Sequence, residues 1–95
     1  MADTLLFKAP ATVNATTASA IVVAANDQRK YLCITNLTSE AVFLGVGNAA
    51  VADSGIVLVA AGSSLEMLHG QNLSREAIYA IHAGSGTKAL AIQEA

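Results

Sequence analysis

Short apolar runs with a period of two recur along this chain, and most of them end in a cluster of glycine, asparagine, aspartate or serine. Successive side chains of a strand point to opposite faces, so such runs specify strands with one face turned to a core. Residues 29–37 are the clearest case: Leu32 and Ile34 fall on one side, Tyr31, Cys33 and Thr35 on the other. Further strands are predicted over 11–17, 20–24, 41–46, 56–60, 64–68, 77–83 and 87–93, and helical spacing of apolar residues is weak everywhere. Turns fall at Asn26-Asp27-Gln28, Thr38-Ser39-Glu40, Ala61-Gly62 and Gly84-Ser85-Gly86. The pattern predicts a hairpin joining 29–37 to 41–46 and another closed by Gly84-Ser85-Gly86. About eight short strands with such spacing specify a sandwich or barrel without significant helix.

With 95 residues the chain has room for one core. Residues 11–95 are read as a single β domain, and residues 1–10 as an arm leading into it, because Pro10 disfavours helix before it. The arm carries Leu5, Leu6 and Phe7, an apolar knob that suits docking onto a partner, with Lys8 beside it.

Composition sharpens this reading. Hydrophobic residues make up 54%, yet aromatics are only 4% and charged residues 13%. A self-contained domain of this size carries nearly twice that charge. The apolar excess is explained if neighbouring subunits cover part of it, which predicts a homo-oligomer. Phe43, Arg75 and Glu76 are candidate inter-subunit contacts, Arg75 and Glu76 through an ion pair.

Charge also bounds the partners. The net charge is −2, and Lys8, Arg29, Lys30, Arg75 and Lys88 are scattered. Binding a phosphate backbone requires basic groups gathered on one face, so nucleic acid is not expected as a direct partner. The longest aliphatic run, residues 18–25, is too short to span a bilayer, so no membrane partner is expected. No secretory signal opens the chain, and synthesis and folding in a cytosol are expected.

Catalytic and metal readings lack convergent groups. Cys33 stands alone within an apolar strand pattern, where a buried inert thiol is expected. His69 and His82, with Glu66 near in sequence, fall short of a zinc ligand set. His69 reads as an exposed loop residue and His82 as a strand residue pointing to solvent. Ser63 or Ser64 could be combined with either histidine and with Asp27 or Asp53, but no Gly-x-Ser-x-Gly elbow is present. Gly84-Ser85-Gly86-Thr87-Lys88 lacks the following serine or threonine and the helix of a phosphate loop. No enzymatic activity, catalytic residue, metal or cofactor is therefore expected.

Three stretches occur in a recognisable order. Arg29-Lys30-Tyr31-Leu32-Cys33-Ile34-Thr35-Asn36-Leu37 runs into Val42-Phe43-Leu44-Gly45-Val46-Gly47. Gly55-Ile56-Val57-Leu58 and Ala61-Gly62-Ser63-Ser64-Leu65-Glu66 follow, then Ala77-Ile78-Tyr79-Ala80-Ile81 with residues 84–90. Over residues 12–93 this order resembles small structural proteins of tailed bacteriophages, the head decoration (cement) and head-fibre proteins. The resemblance implies a small antiparallel β-sandwich or jelly roll, binding the major capsid protein on the outside of a phage head as a homotrimer. The implied role is to bridge capsomers by many weak contacts, and the implied location is the virion surface. A head-fibre or tail attachment component is the alternative, and a stand-alone carbohydrate-binding module comes behind it, since such sites present exposed aromatics.

Overall fold

In the computed structural model, which describes residues 5–95, the period-two segments become eight strands and the described residues contain no helix. These are β1 (Ala11–Ala15), β2 (Ala20–Val23), β3 (Tyr31–Asn36), β4 (Val42–Val46), β5 (Ile56–Leu58), β6 (Ser64–Leu68), β7 (Ile78–Ile81) and β8 (Lys88–Glu94). They pair as nested antiparallel partners: β4 with β5, β3 with β6, β2 with β7 and β1 with β8. Two further pairings, β3 with β8 and β4 with β7, complete two four-stranded sheets. Sheet I has the order β1-β8-β3-β6 and sheet II the order β2-β7-β4-β5. This is a β-sandwich with jelly-roll strand order, in which a long hairpin is rolled up so that successive strands, β4 and β5 excepted, alternate between sheets.

Two predicted hairpins are corrected by this order. Residues 29–37 and 41–46 do not pair, because β3 lies in sheet I between β8 and β6 while β4 lies in sheet II. The connection around Gly84-Ser85-Gly86 likewise carries the chain from β7 in sheet II to β8 in sheet I. Only the β4–β5 connection joins neighbours within one sheet.

Buried polar side chains brace the crossings. Asn36 is fully buried at the end of β3. Its amide donates to Glu40 O and to Leu58 O, both at 2.8 Å, and its carbonyl accepts from Thr38 N and Thr38 Oγ1. An amide satisfied this way turns the corner after β3 and ties it to β5 across the sandwich. His82 braces the β7–β8 crossing: its Nδ1 accepts from Gly84 N at 3.2 Å and its Nε2 donates to Gly86 O at 2.6 Å. The expectation that His82 points to solvent is therefore overturned. It is 1% exposed, and both ring nitrogens are taken by its own loop.

Between the sheets, Leu32, Ile34, Leu44, Ile78, Ala80 and Leu90 are buried in one apolar cluster. Fully burying an aliphatic side chain contributes about 1.5–3 kcal/mol, so this layer is the main source of cohesion. In β2 the register slips between Ile21 and Val23, so Val22 is a bulged extra residue and both Val22 and Val23 reach the core.

Candidate functional site

The candidate sites are surfaces, and the two sheets differ in what they offer. In sheet I the outward residues are largely polar: Thr12 and Asn14 on β1, Thr35 on β3, Glu66 on β6 and Gln93 on β8. Sheet II has no such alternation. No residue of β2, β4, β5 or β7 is charged, and Tyr79 alone brings a polar side-chain group. Because Val42, Leu44, Leu58, Ile78 and Ala80 face the core, Phe43, Val57, Tyr79 and Ile81 face outward, with Ile21 beside Tyr79. Phe43 lies between Ile81 and Val57 in the register.

Part of that outer face is covered by the chain itself. The β4–β5 loop, residues 47–55, doubles back over sheet II. A Cβ at Gly45 would lie 2.5 Å from Asn48 O, so only glycine allows the loop to come this close. Further along, Ala50 N donates to Ser19 Oγ at 2.8 Å, which anchors the loop near the start of β2. Phe43 and Ala50 are buried without belonging to the inter-sheet core. Phe43, expected to meet a neighbouring subunit, is therefore packed within its own chain at 7% exposure, a correction to that expectation. Around it Ile21, Val51, Val57 and Val59 stay exposed. Those residues form an uncharged apolar rim that the described residues leave exposed.

The arm also meets its own domain. Lys8 N donates to Glu94 O at 2.9 Å, Gln93 Nε2 donates to Lys8 O at 2.8 Å, and Lys8 Nζ pairs with Glu94 Oε1 at 3.2 Å. Phe7 packs edge-on against Tyr31, with ring centroids 5.4 Å apart. Leu5 is half-buried, whereas Leu6 is 83% exposed. The rest of the expected arm, Met1 through Thr4, lies outside the described residues. Beside the arm, a shallow groove of about 420 Å³ on the outer face of sheet I is lined by Pro10, Thr12, Cys33, Thr35, Ala91 and Gln93. Cys33 is thus half-buried on an outer face, not part of the core as expected.

Arg29 is the residue whose role the sequence pattern concealed. Read as one of several scattered charges, it is fully buried where the two sheets meet. Its Nε donates to Glu94 Oε2 at 2.7 Å, Nη1 to Ser74 O and Glu76 O, and Nη2 to Ala24 O. A guanidinium presents donors in a rigid planar fork, which suits one cation to binding carbonyls from several segments at once. The acceptors belong to the end of β8, to the residue that follows β2 and to the lead-in of β7, so this side chain joins the sheets. The clue was its place: with Lys30 it leads into the most regular strand of an otherwise charge-poor sequence.

Charge pairing shifts three groups. Burial pushes the Glu94 carboxyl up, but hydrogen bonds from Arg29, Asn26 and Lys8 outweigh it and hold the group below the usual carboxylate value. At the other end of the sandwich Glu40 is also held low, by its 2.6 Å hydrogen bond and charge pairing with Lys88. The Tyr31 hydroxyl donates to Glu66 Oε2 at 2.7 Å, and that bond, with some burial, pushes its pKa up to about 12.

The remaining expected site residues stand apart. Arg75 is exposed, with its Nε donating to Arg29 O at 2.9 Å, and the exposed Glu76 has its carboxyl against Gly47 of the same chain. Neither forms an ion pair among the described residues. His69 lies exposed beside Arg75 in a small groove of the β6–β7 loop. Among the described residues no three metal-ligating side chains gather.

No family model and no curated protein matches the chain. One solved structure, described in the words "Bacillus endospore appendages form a novel family of disulfide-linked pili", is similar at 18% identity and a TM-score of 0.49, covering 94% of this chain and 86% of that one.

Proposed function

We propose that this chain is a non-enzymatic structural subunit that works by association, as a decoration or cement protein on the outside of a phage head. The observation that carries the associating role is sheet II, apolar on both faces and only partly covered by its own loop. A sheet with two apolar faces is stable in water when both are covered, and the rim of Ile21, Val51, Val57 and Val59 supplies the seat for a partner. The resemblance over residues 12–93 brings this role to a phage head, with the major capsid protein as the partner and three copies as the grouping. On this reading each contact is weak and the repeated copies supply the avidity.

The test is binding to purified heads that lack the protein. Wild-type protein should sediment with the heads and delay their loss of DNA on heating. The Ile21→Lys, Val57→Lys double variant should keep its melting temperature and lose binding, because both positions are exposed. Equal binding by this variant would remove sheet II from the function, and no binding by the wild type would remove the capsid role.

A further inference from the structure

The free edges of sheet I are treated differently by the chain, and this difference points to a contact between copies. Leu37 N donates to Ala89 O, so Ala89 and its alternate neighbours on β8 turn their backbone groups toward β3. Lys88, Leu90 and Ile92 must then bond β1, and their register partners are Ala15, Val13 and Ala11. The N–H and C=O groups of Thr12 and Asn14 consequently point away from the sheet. None of them has a hydrogen-bond partner among the described residues.

At the opposite edge β6 pairs with β3 through Met67 and Leu65, since Asn36 on β3 bonds residues 62 and 63 on that side. The outward groups of β6 belong to Ser64, Glu66 and Leu68. Here the chain supplies its own plug. Asn72 Nδ2 donates to Glu66 O at 2.9 Å, Leu68 N donates to Asn72 Oδ1 at 2.8 Å, and Gln71 N donates to Leu68 O at 3.0 Å. The side-chain amide of Asn72 takes the place that a neighbouring strand's peptide group would fill. Glu66 adds a charge that would repel its own copy across a pair. The β1 edge has neither safeguard. All five residues of Ala11–Ala15 are uncharged, and Thr12 and Asn14 are exposed. Pro10, which lacks an N–H, limits the open edge on its amino-terminal side.

We infer that the β1 edge pairs with the β1 edge of a second copy, antiparallel about a twofold axis at Val13. In this register Thr12 of each chain faces Asn14 of the other, and these are the residues whose backbone groups are unpaired. An isologous contact requires a self-complementary patch, and two outward residues straddling one central residue satisfy that requirement. The two copies of sheet I become one continuous sheet. An extended peptide of another protein could bond the same groups by strand addition, but the charge-free symmetric edge favours a second copy. This contact rests on the reading that the chain associates with itself; being twofold it is separate from the threefold grouping, and it leaves the apolar rim of sheet II free for that grouping and for other partners.

Proline tests the pairing at positions where it spares the fold. The N–H groups of Thr12 and Asn14 do not enter the β8 ladder, so Thr12→Pro and Asn14→Pro remove only outward donors. Light scattering on the full chain at high micromolar concentration should give each variant half the wild-type mass at an unchanged melting temperature. Should either proline lower the melting temperature, hydrogen exchange on the wild type decides: Thr12 and Asn14 amides should gain at least tenfold protection as concentration rises, while Glu66 N stays unchanged. A wild type that stays monomeric, a wild-type mass retained by well-folded proline variants, or Thr12 and Asn14 amides that exchange freely at every concentration would each overturn the inference. Loss of head binding in the Ile21→Lys, Val57→Lys variant alongside any of these results would leave the proposed function standing without it.

Discussion

Sheet I and sheet II share a core but meet their other surroundings by opposite means. Sheet I alternates, with Leu32 and Ile34 inward and Tyr31, Cys33 and Thr35 outward on its central strand. Its outer face carries Glu66 and Gln93, and Lys88 and Glu94 stand at the two ends of β8. Sheet II has apolar residues on both faces, and the chain spends a nine-residue connection, 47–55, covering part of the outer one. The difference shows that period-two patterning and apolar content carry separate information. Alternation marks a face already at home in water, while its loss marks a face that needs a cover. In this molecule the cover is half intramolecular, and the remaining apolar rim is where association is expected.

Four substitutions probe this contrast. The largest effect concerns the joint between the sheets. Arg29→Met leaves the carbonyls of Ala24, Ser74 and Glu76 without their donor and the Glu94 carboxylate, 12% exposed, with only Asn26 and Lys8. Removing one member of a buried, hydrogen-bonded pair costs about 3–5 kcal/mol. Chemical denaturation should show that loss in one cooperative transition. Two separate transitions would mean that the sheets unfold independently and that the comparison concerns two units.

A matched pair on the outer faces measures the contrast directly. Phe43→Ala removes a buried ring beneath the β4–β5 loop and should cost about 3 kcal/mol, near the lower end for such truncations. Thr35→Ala, outward on sheet I, should stay within about 0.5 kcal/mol. Similar losses at both positions, read as denaturant midpoints, would erase the distinction between the faces.

The smallest effect is a pH response that belongs to sheet I. Glu94 has its folded pKa below the ordinary carboxylate value. The stability it contributes is present above the unfolded pKa, about 4.3, and is lost as pH falls through the lower folded value. Glu94→Gln should flatten the fall in melting temperature over that acidic window. Sheet II strands, which contain no acidic or basic residue, contribute nothing to the slope. An unchanged slope in the variant would assign the acid response to other carboxylates, Glu40 first among them.

Much of the fold was legible because strand formation is local. The run from Tyr31 to Asn36 alternates so regularly that its inner residues, Leu32, Ile34 and Asn36, are all fully buried. Partner choice was not legible, since a period of two says which way a side chain points and nothing about which strand lies alongside. The expected hairpin through Thr38-Ser39-Glu40 failed for that reason. The polar residues that turn the corners, Asn36 and His82, look like ordinary turn and surface residues in sequence, and only the fold shows their hydrogen bonds closed inward. Arg29 was hidden similarly, because its four acceptors come from segments far apart in the chain. Of the surface residues proposed from sequence, Leu6 and Phe7 are exposed, Lys8 is bonded to its own domain, and Phe43 is already occupied.

The nested pairing has a consequence for how the chain reaches this state. The cost of bringing two segments together rises with the length of free chain between them. Once the β4–β5 hairpin exists, the path that β3 and β6 must close is shortened to their short links, and the same holds in turn for β2 with β7 and β1 with β8. The sandwich can thus fasten from its middle outward like a zip, each pair inheriting the proximity won by the last. The amino-terminal strand is then the final tooth, and the edge it exposes is the last part of the sheet to be made.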